Sequence, residues 1–257
     1  MSELKLALIQ ADLVWEDASR NRDKFERLLA GISPGTDIVV LPEMFSTGFS
    51  MEPQRLAEPM DGPTITWMRK QAAALGAVIT GSVIIEEGGN YFNRFVWITP
   101  AGDLQQYNKR HLFTLAGEEK VYTAGTEQLL LTYRDWKIMP LVCYDLRFPV
   151  WSRNQFQYDL LLYVANFPDK RGFAWRTLLQ ARAIENQSYT IGLNRVGTDG
   201  NGIYYAGDSM LVNYDGTVTT HLPPREMVQE VVITKAPQDT FRQKLAFLPD
   251  QDQFTIT

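Results

Sequence analysis

The chain reads as an α/β protein with mixed sheets. Short apolar runs alternate with helical patterns along its length, the most apolar runs show no polar alternation, and turn sequences join some neighbouring runs directly. The apolar runs place strands at residues 5–10, 37–41, 77–85, 92–98, 136–143, 159–164 and 188–194. Three of them, DIVVL, IMPLVC and DLLLYV, are apolar on both faces, as strands covered on both sides must be. Helices fill the spaces between. Residues 17–30 put Phe25, Leu28 and Leu29 on one stripe. A second helix begins at Pro63, a favoured first helical position, and ends before Gly76. A third, 172–186, carries Leu178, Leu179, Ala183 and Ile184 at helical spacing. Pro100-Ala101-Gly102-Asp103 and Asn213-Tyr214-Asp215-Gly216 are hairpin turns, so the sheets cannot be parallel throughout. A last strand, VQEVVIT, precedes a polar tail of about residues 235–257 punctuated by phenylalanines, which is expected to pack on a partner subunit. Composition is even from end to end with no linker tract, and residues 1–257 are read as one domain.

Composition then narrows the chemistry. With 25 basic and 30 acidic residues the net charge is -5, and no basic run exceeds two residues. A nucleic-acid groove is not expected. No apolar run approaches the roughly 20 residues of a bilayer span. The start, MSELKLALIQ, meets Asp12 before a secretory apolar region could form, and the protein is read as cytoplasmic. Cys143 is the only cysteine, and His111 and His221 are the only histidines. An intrachain disulfide and a multi-thiolate metal site are therefore impossible, and a histidine-rich zinc site is not expected. Phosphate loops, dinucleotide fingerprints and serine elbows are missing. The glycine-rich stretch from Gly197 to Gly202 has the wrong spacing for a dinucleotide and reads as a turn.

Three strand ends carry reactive groups. IVVLPE ends in Glu43, where Pro42 stops the ladder and leaves a carboxylate at the carboxyl edge of an apolar strand, the edge at which open α/β sheets bind ligands. LQQYNKRHLF carries Lys109 where another strand runs out. KIMPLVCYDLRFP places Cys143 at the end of the most apolar strand. Taken singly, each has a plain reading: a solvated acid, a surface lysine, a small buried hydrophobe. Together they form a mechanism, because a thiol is mostly protonated at neutral pH and needs a nearby base or cation to act as a nucleophile. A Cys–His pair using His111 or His221 is the weaker competitor.

These stretches resemble the nitrilase, or carbon–nitrogen hydrolase, superfamily, whose catalytic set is Glu, Lys and Cys in that chain order. LPEMFSTGF, YNKRHLF and LVCYDLRFPVWSR carry the resemblance, and GEEKVYTAG, LLLYVANFP, QARAIENQ and NRVGTDGNG support it in order and spacing. Within the superfamily the motifs look most like the omega-amidase branch. The resemblance implies a four-layer α-β-β-α sandwich of two mixed sheets that pairs into homodimers. It also implies a cofactor-free hydrolase acting on the terminal amide of a short dicarboxylic acid monoamide such as 2-oxoglutaramate. Cys143 would attack the carbonyl carbon. The Lys109 ammonium and the N–H of Tyr144 would hold the oxyanion, and Glu43 would serve as acid and base in turn. A second glutamate, assigned to Glu118 rather than Glu119 by counting back from Gly125, would orient Lys109 or the substrate. Arg147 is expected either to bind the far carboxylate or to brace its loop through Asp145 or Glu185. Asn166 is expected to hydrogen-bond substrate or cap a turn, and Glu185 to be structural beside Arg182. Nitrile or N-carbamoyl hydrolysis, and a redox-sensing or binding role for Cys143, are the alternatives.

Overall fold

The computed structural model describes residues 2–256. Its first half builds one sheet. β1 (Glu3–Gln10), β2 (Ile38–Val40) and β3 (Val78–Glu87) run parallel, and β4 (Asn90–Ile98) and β5 (Leu104–Asn108) extend them as antiparallel hairpins. The second half repeats the plan. β6 (Leu131–Tyr133) pairs antiparallel with β7 (Trp136–Val142), which runs parallel to β8 (Leu160–Ala165) and β9 (Tyr189–Asn194). β10 (Val196–Thr198) and β11 (Tyr204–Ala206) form a separate hairpin, while β12 (Met210–Val212) and β13 (Val218–His221) complete the second sheet. β14 (Met227–Thr234) returns to the first sheet beside β1. Both sheets are mixed because hairpins flank a parallel centre.

Side-chain alternation explains the layering. Leu4, Leu6 and Leu8 share one core with Leu141 and Val142 of the second sheet. Their neighbours Ala7 and Ile9 belong to a second core with Phe25 and Leu29 of α1 (Ala18–Leu29) and Met68 of a later helix. A four-residue helix, α2 (Pro53–Leu56), precedes that one, α3 (Pro63–Leu75). On the far side α4 (Gly172–Asn186) lays Trp175, Leu179 and Ala183 into the core. The result is four layers, α-β-β-α, as the resemblance implies. Helix ends follow local chemistry: the Asp17 carboxylate accepts the N–H of Arg20 at 3.0 Å, and Gly76 closes α3 at φ 64°, a left-handed conformation that glycine adopts without strain.

The tail does not simply lead away from the chain. Residues after β14 form α5 (Lys235–Lys244), which docks on its own subunit. The Gln238 amide donates to the Asp159 carbonyl at 2.8 Å, and the Arg242 guanidinium meets the Asp159 carboxylate at 3.0 Å. No helix among the described residues is long and apolar enough to cross a membrane.

Gly192 lets α4 lie close on β9. A Cβ there would come within 2.5 Å of Leu179 Cδ1 and 2.7 Å of Trp175 Cζ2. Gly192→Ala is expected to cost about 1–3 kcal/mol of stability through overpacking. The measurement is the urea midpoint at unchanged m; an unshifted midpoint would mean that the helix moves aside without penalty.

Candidate active site

Parallel strands end on the same edge of their sheet, and the candidate residues gather at that edge. Cys143 follows β7, Asn166 follows β8, and Glu43 comes three residues after β2. The sequence expectation carries the nucleophile strand through Cys143, but the strand stops at Val142. Cys143 has φ 47° and opens a 3-10 turn, Cys143–Arg147. A left-handed non-glycine residue costs roughly 1–2 kcal/mol, so the elbow has to be held from outside. The wholly buried Asp145 does this. One of its oxygens accepts the N–H of Val142 at 3.0 Å and the Tyr107 hydroxyl at 2.8 Å. The other accepts the N–H of His111 at 3.0 Å and faces the imidazole Nδ1 at 2.8 Å. The Arg182 guanidinium also donates to the Leu146 carbonyl at 2.6 Å. Asp145 thereby ties the nucleophile turn to β5 and the segment after it, the stretch that carries Lys109.

This network also disposes of the Cys–His competitor. Alternation along a strand would put residues 109 and 111 on the same face. However, β5 ends at Asn108, and the His111 ring is committed to Asp145 and stacked on Phe148 at 3.7 Å. His221 is engaged elsewhere, with Nε2 at 2.8 Å from Asp208.

Glu43 sits just before a second kink, Met44 at φ 42°. Its carboxylate is fully buried and accepts from Lys109 Nζ at 3.0 Å, Asn93 Nδ2 at 2.7 Å, the N–H of Asn166 at 2.7 Å and, at 3.5 Å, Asn166 Nδ2. Lys109 Nζ also bridges both oxygens of Glu118, at 3.0 and 2.9 Å. Glu118 is fully buried whereas Glu119 is exposed, so the glutamate that reaches Lys109 is the one assigned from the sequence. The Asn166 amide donates back to the Glu43 carbonyl at 2.6 Å, so its first duty is to hold the acid. Its Oδ1 is buried without a partner, and the residue lines the pocket.

Electrostatics assign protonation states. Burial alone would lower the Lys109 pKa, but the charges of Glu118 and Glu43 outweigh it and hold the ammonium far above the ordinary lysine range. Burial raises the Glu118 carboxyl, against the pull of Lys109. Burial and the negative charge of Glu43 push the Cys143 thiol well up, and Lys109 only partly opposes them. Cys143 therefore rests as a neutral thiol beside Glu43.

Cys143 opens into a cavity of about 430 Å³ whose lining includes Phe49, Tyr144, Arg147, Asn166, Phe167 and Arg171. Arg147 does not brace its loop through either acid: the Asp145 oxygens are occupied as described, and Glu185 pairs with Arg182 at 2.8 Å. Its guanidinium lies 5.7 Å from the Phe167 ring centroid. Sequence reasoning passed over three contributors. Asn93 bridges Glu43 and, at 3.3 Å, Glu118; the available signal was a polar residue amid the apolar run of β4. Arg171 was hidden in an ordinary charged turn. The stretch from Gly197 to Gly202 is a turn only after Thr198, its first two residues lying in β10, and it contributes Asp199 and Asn201 to the pocket wall. Among the described residues no cluster of metal-ligating side chains is present.

The model of the carbon–nitrogen hydrolase family matches residues 5–243. The chain belongs to that family. It is similar to the omega-amidase YafV of Escherichia coli strain K12, 44% identical over 257 residues that cover 100% of both chains. It is also similar to the 2-oxoglutaramate amidase of Bacillus subtilis, 30% identical over 218 residues, covering 83% of this chain and 84% of that one. Among solved structures, XC1258 of Xanthomonas campestris superposes with a TM-score of 0.98 at 44% identity over 100% of both chains; it carries an arsenic adduct in its active site. Nit3 of Saccharomyces cerevisiae shares the fold, with a TM-score of 0.83 at 21% identity over 95% of this chain and 94% of that one.

Since the Glu43 charge helps to hold the thiol protonated, Glu43→Gln is expected to lower the Cys143 pKa, leaving Lys109 as a stabilising cation. Thiolate absorbance at 240 nm against pH reads this directly. A titration midpoint that stays put in the variant would show that the two groups are not coupled, and one that rises would reverse the assigned sign.

Proposed function

We propose that the protein is a cysteine-dependent amidase that hydrolyses the terminal amide of short dicarboxylic acid monoamides, of the 2-oxoglutaramate type, to acid and ammonia. The observation that carries this reading is the buried Lys109 ammonium shared by Glu43 and Glu118 beside the Cys143 thiol. The names of the relatives in Escherichia coli and Bacillus subtilis point the same way.

The geometry translates into steps. Glu43 takes the thiol proton as Cys143 Sγ bonds to the amide carbon. Negative charge moves to the carbonyl oxygen, where the Lys109 ammonium and the N–H of Tyr144 stabilise it; one such donor contributes roughly 3 kcal/mol to a transition state. Tyr144 lies in the first turn of a helix, where backbone N–H groups have no intrahelical acceptor. The unpartnered Asn166 Oδ1 accepts an N–H of the substrate amide. The carbon–nitrogen bond then breaks, and ammonia departs with the proton held by Glu43. Water attacks the thioester while Glu43 removes its proton, the acid leaves, and the thiol is restored. A lysine whose pKa is held this high acts as a fixed charge and not as a base. Glu118 keeps it charged and in place, and Arg147 receives the far carboxylate.

We further place the enzyme in the cytoplasm, where a single free thiol stays reduced. We also read it as a homodimer, because the surface around α4 exposes Phe173 and Ile184.

Cys143→Ala is expected to abolish ammonia release from 2-oxoglutaramate, and Glu43→Gln to lower kcat by about 10²–10⁴-fold. Intact mass spectrometry of the wild type mixed with substrate should show an acyl adduct that Cys143→Ala lacks. Turnover of a nitrile or an N-carbamoyl amino acid, with none of 2-oxoglutaramate, would move the assignment to a different reaction of the family. Normal turnover by Cys143→Ala would remove the cysteine mechanism altogether.

A further inference from the structure

We propose that Arg171 is the second half of a two-guanidinium clamp, with Arg147, that selects amides ending in a carboxylate. This deepens the amidase reading and rests on it.

The two arginines come from different places. Arg147 ends the turn that begins at Cys143, and Arg171 ends the short 3-10 turn Asp169–Arg171 that leads into α4. Both reach the same cavity wall. The guanidinium carbon of Arg147 is 5.7 Å, and that of Arg171 6.0 Å, from the centroid of one ring, Phe167. Arg171 is also 4.9 Å from the Phe113 ring. Aromatic contact of this kind fixes a guanidinium plane while leaving its N–H edge free to donate.

Neither arginine is neutralised inside the protein: among the described residues, none of the ion pairs involves Arg147 or Arg171. Of the three acids that share the pocket, two are engaged by other groups. The Glu16 carboxylate accepts the Ser50 hydroxyl at 2.5 Å and pairs with Arg55. Asp199 accepts the Tyr205 hydroxyl and the N–H groups of Asn201 and Ile203, each at 2.9 Å. The third, Glu52, is exposed to solvent. Two half-buried, unpaired cations on one ring therefore make a wall that favours an anion, and a planar carboxylate matches the fork of each guanidinium. A neutral amide gains nothing from that wall.

Two readouts test the clamp. Calorimetric titration with 2-oxoglutarate needs no turnover; Arg171→Gln is expected to weaken binding by about 10-fold or more, the effect of losing a charged hydrogen bond. Arg171→Lys should lose less, since it keeps the charge and gives up only the fork. In steady state, the ratio of kcat/KM for succinamate to that for butyramide should fall by about 10-fold in Arg171→Gln, through KM. No detectable binding of 2-oxoglutarate by the wild type, equal binding by wild type and Arg171→Gln, or a parallel fall for both amides would overturn the clamp. Binding of 2-oxoglutarate that depends on Arg171, in a wild type that releases no ammonia from either amide, would support the clamp while removing the amidase reading.

Discussion

The site depends on one buried ammonium shared by two buried carboxylates. Lys109 lies at 3.0 Å from Glu43 and 2.9 Å from Glu118, with all three side chains out of water. Burying an isolated charge is costly, and a buried pair is tolerable only when its remaining donors and acceptors are also satisfied. The surroundings meet that demand. Asn93 Nδ2 bridges the two carboxylates, the Ser82 hydroxyl fixes Asn93 Oδ1 at 2.8 Å, and the N–Hs of Asn166 and Phe113 take further carboxylate oxygens. In the reaction we propose, this fixed positive charge meets the negative charge that develops during acyl transfer, and no solvent has to reorganise to supply it.

Asp145 solves a different problem, that of bringing distant segments together. The acid, the amine and the thiol follow the ends of β2, β5 and β7. The first two elements lie in one sheet and the third in the other. Packing of the sheets brings them near, but it does not set angles. Asp145 does, because a single carboxylate accepts from Val142 and Tyr107 on one oxygen and from His111 on the other. The same contacts hold Cys143 in its left-handed conformation, so the backbone strain at the nucleophile and the position of the amine have a common support.

Chemistry and recognition are divided between kinds of structure. The groups that would handle protons and charge in the proposed reaction follow strand ends and are buried. The pocket wall comes from the turn ahead of α4, the hairpin of β10 and β11, and loops carrying Phe49 and Phe113. Rigid strand ends suit groups that must stay within hydrogen-bond reach, whereas loops can vary in shape and charge without disturbing them.

Much of this was legible in the sequence. Apolar runs, Pro63, Gly76 and the two hairpin turns located the main elements, because burial on both faces and restricted backbone angles are properties of the residues themselves. Glu43, Lys109, Glu118 and Cys143 could be named from residue type, chain order and motif. Other features depended on neighbours far away in the chain. Arg171 looks like any surface cation until the fold sets it against Phe113 and Phe167. Asn93 is a strand residue until Glu43 and Glu118 converge on it, and α5 docks on its own chain because Asp159 faces it. Local sequence sets conformational preference and hydropathy, but the energy of a buried charge or of a free guanidinium depends on which groups stand around it, and only the packed sheets decide that.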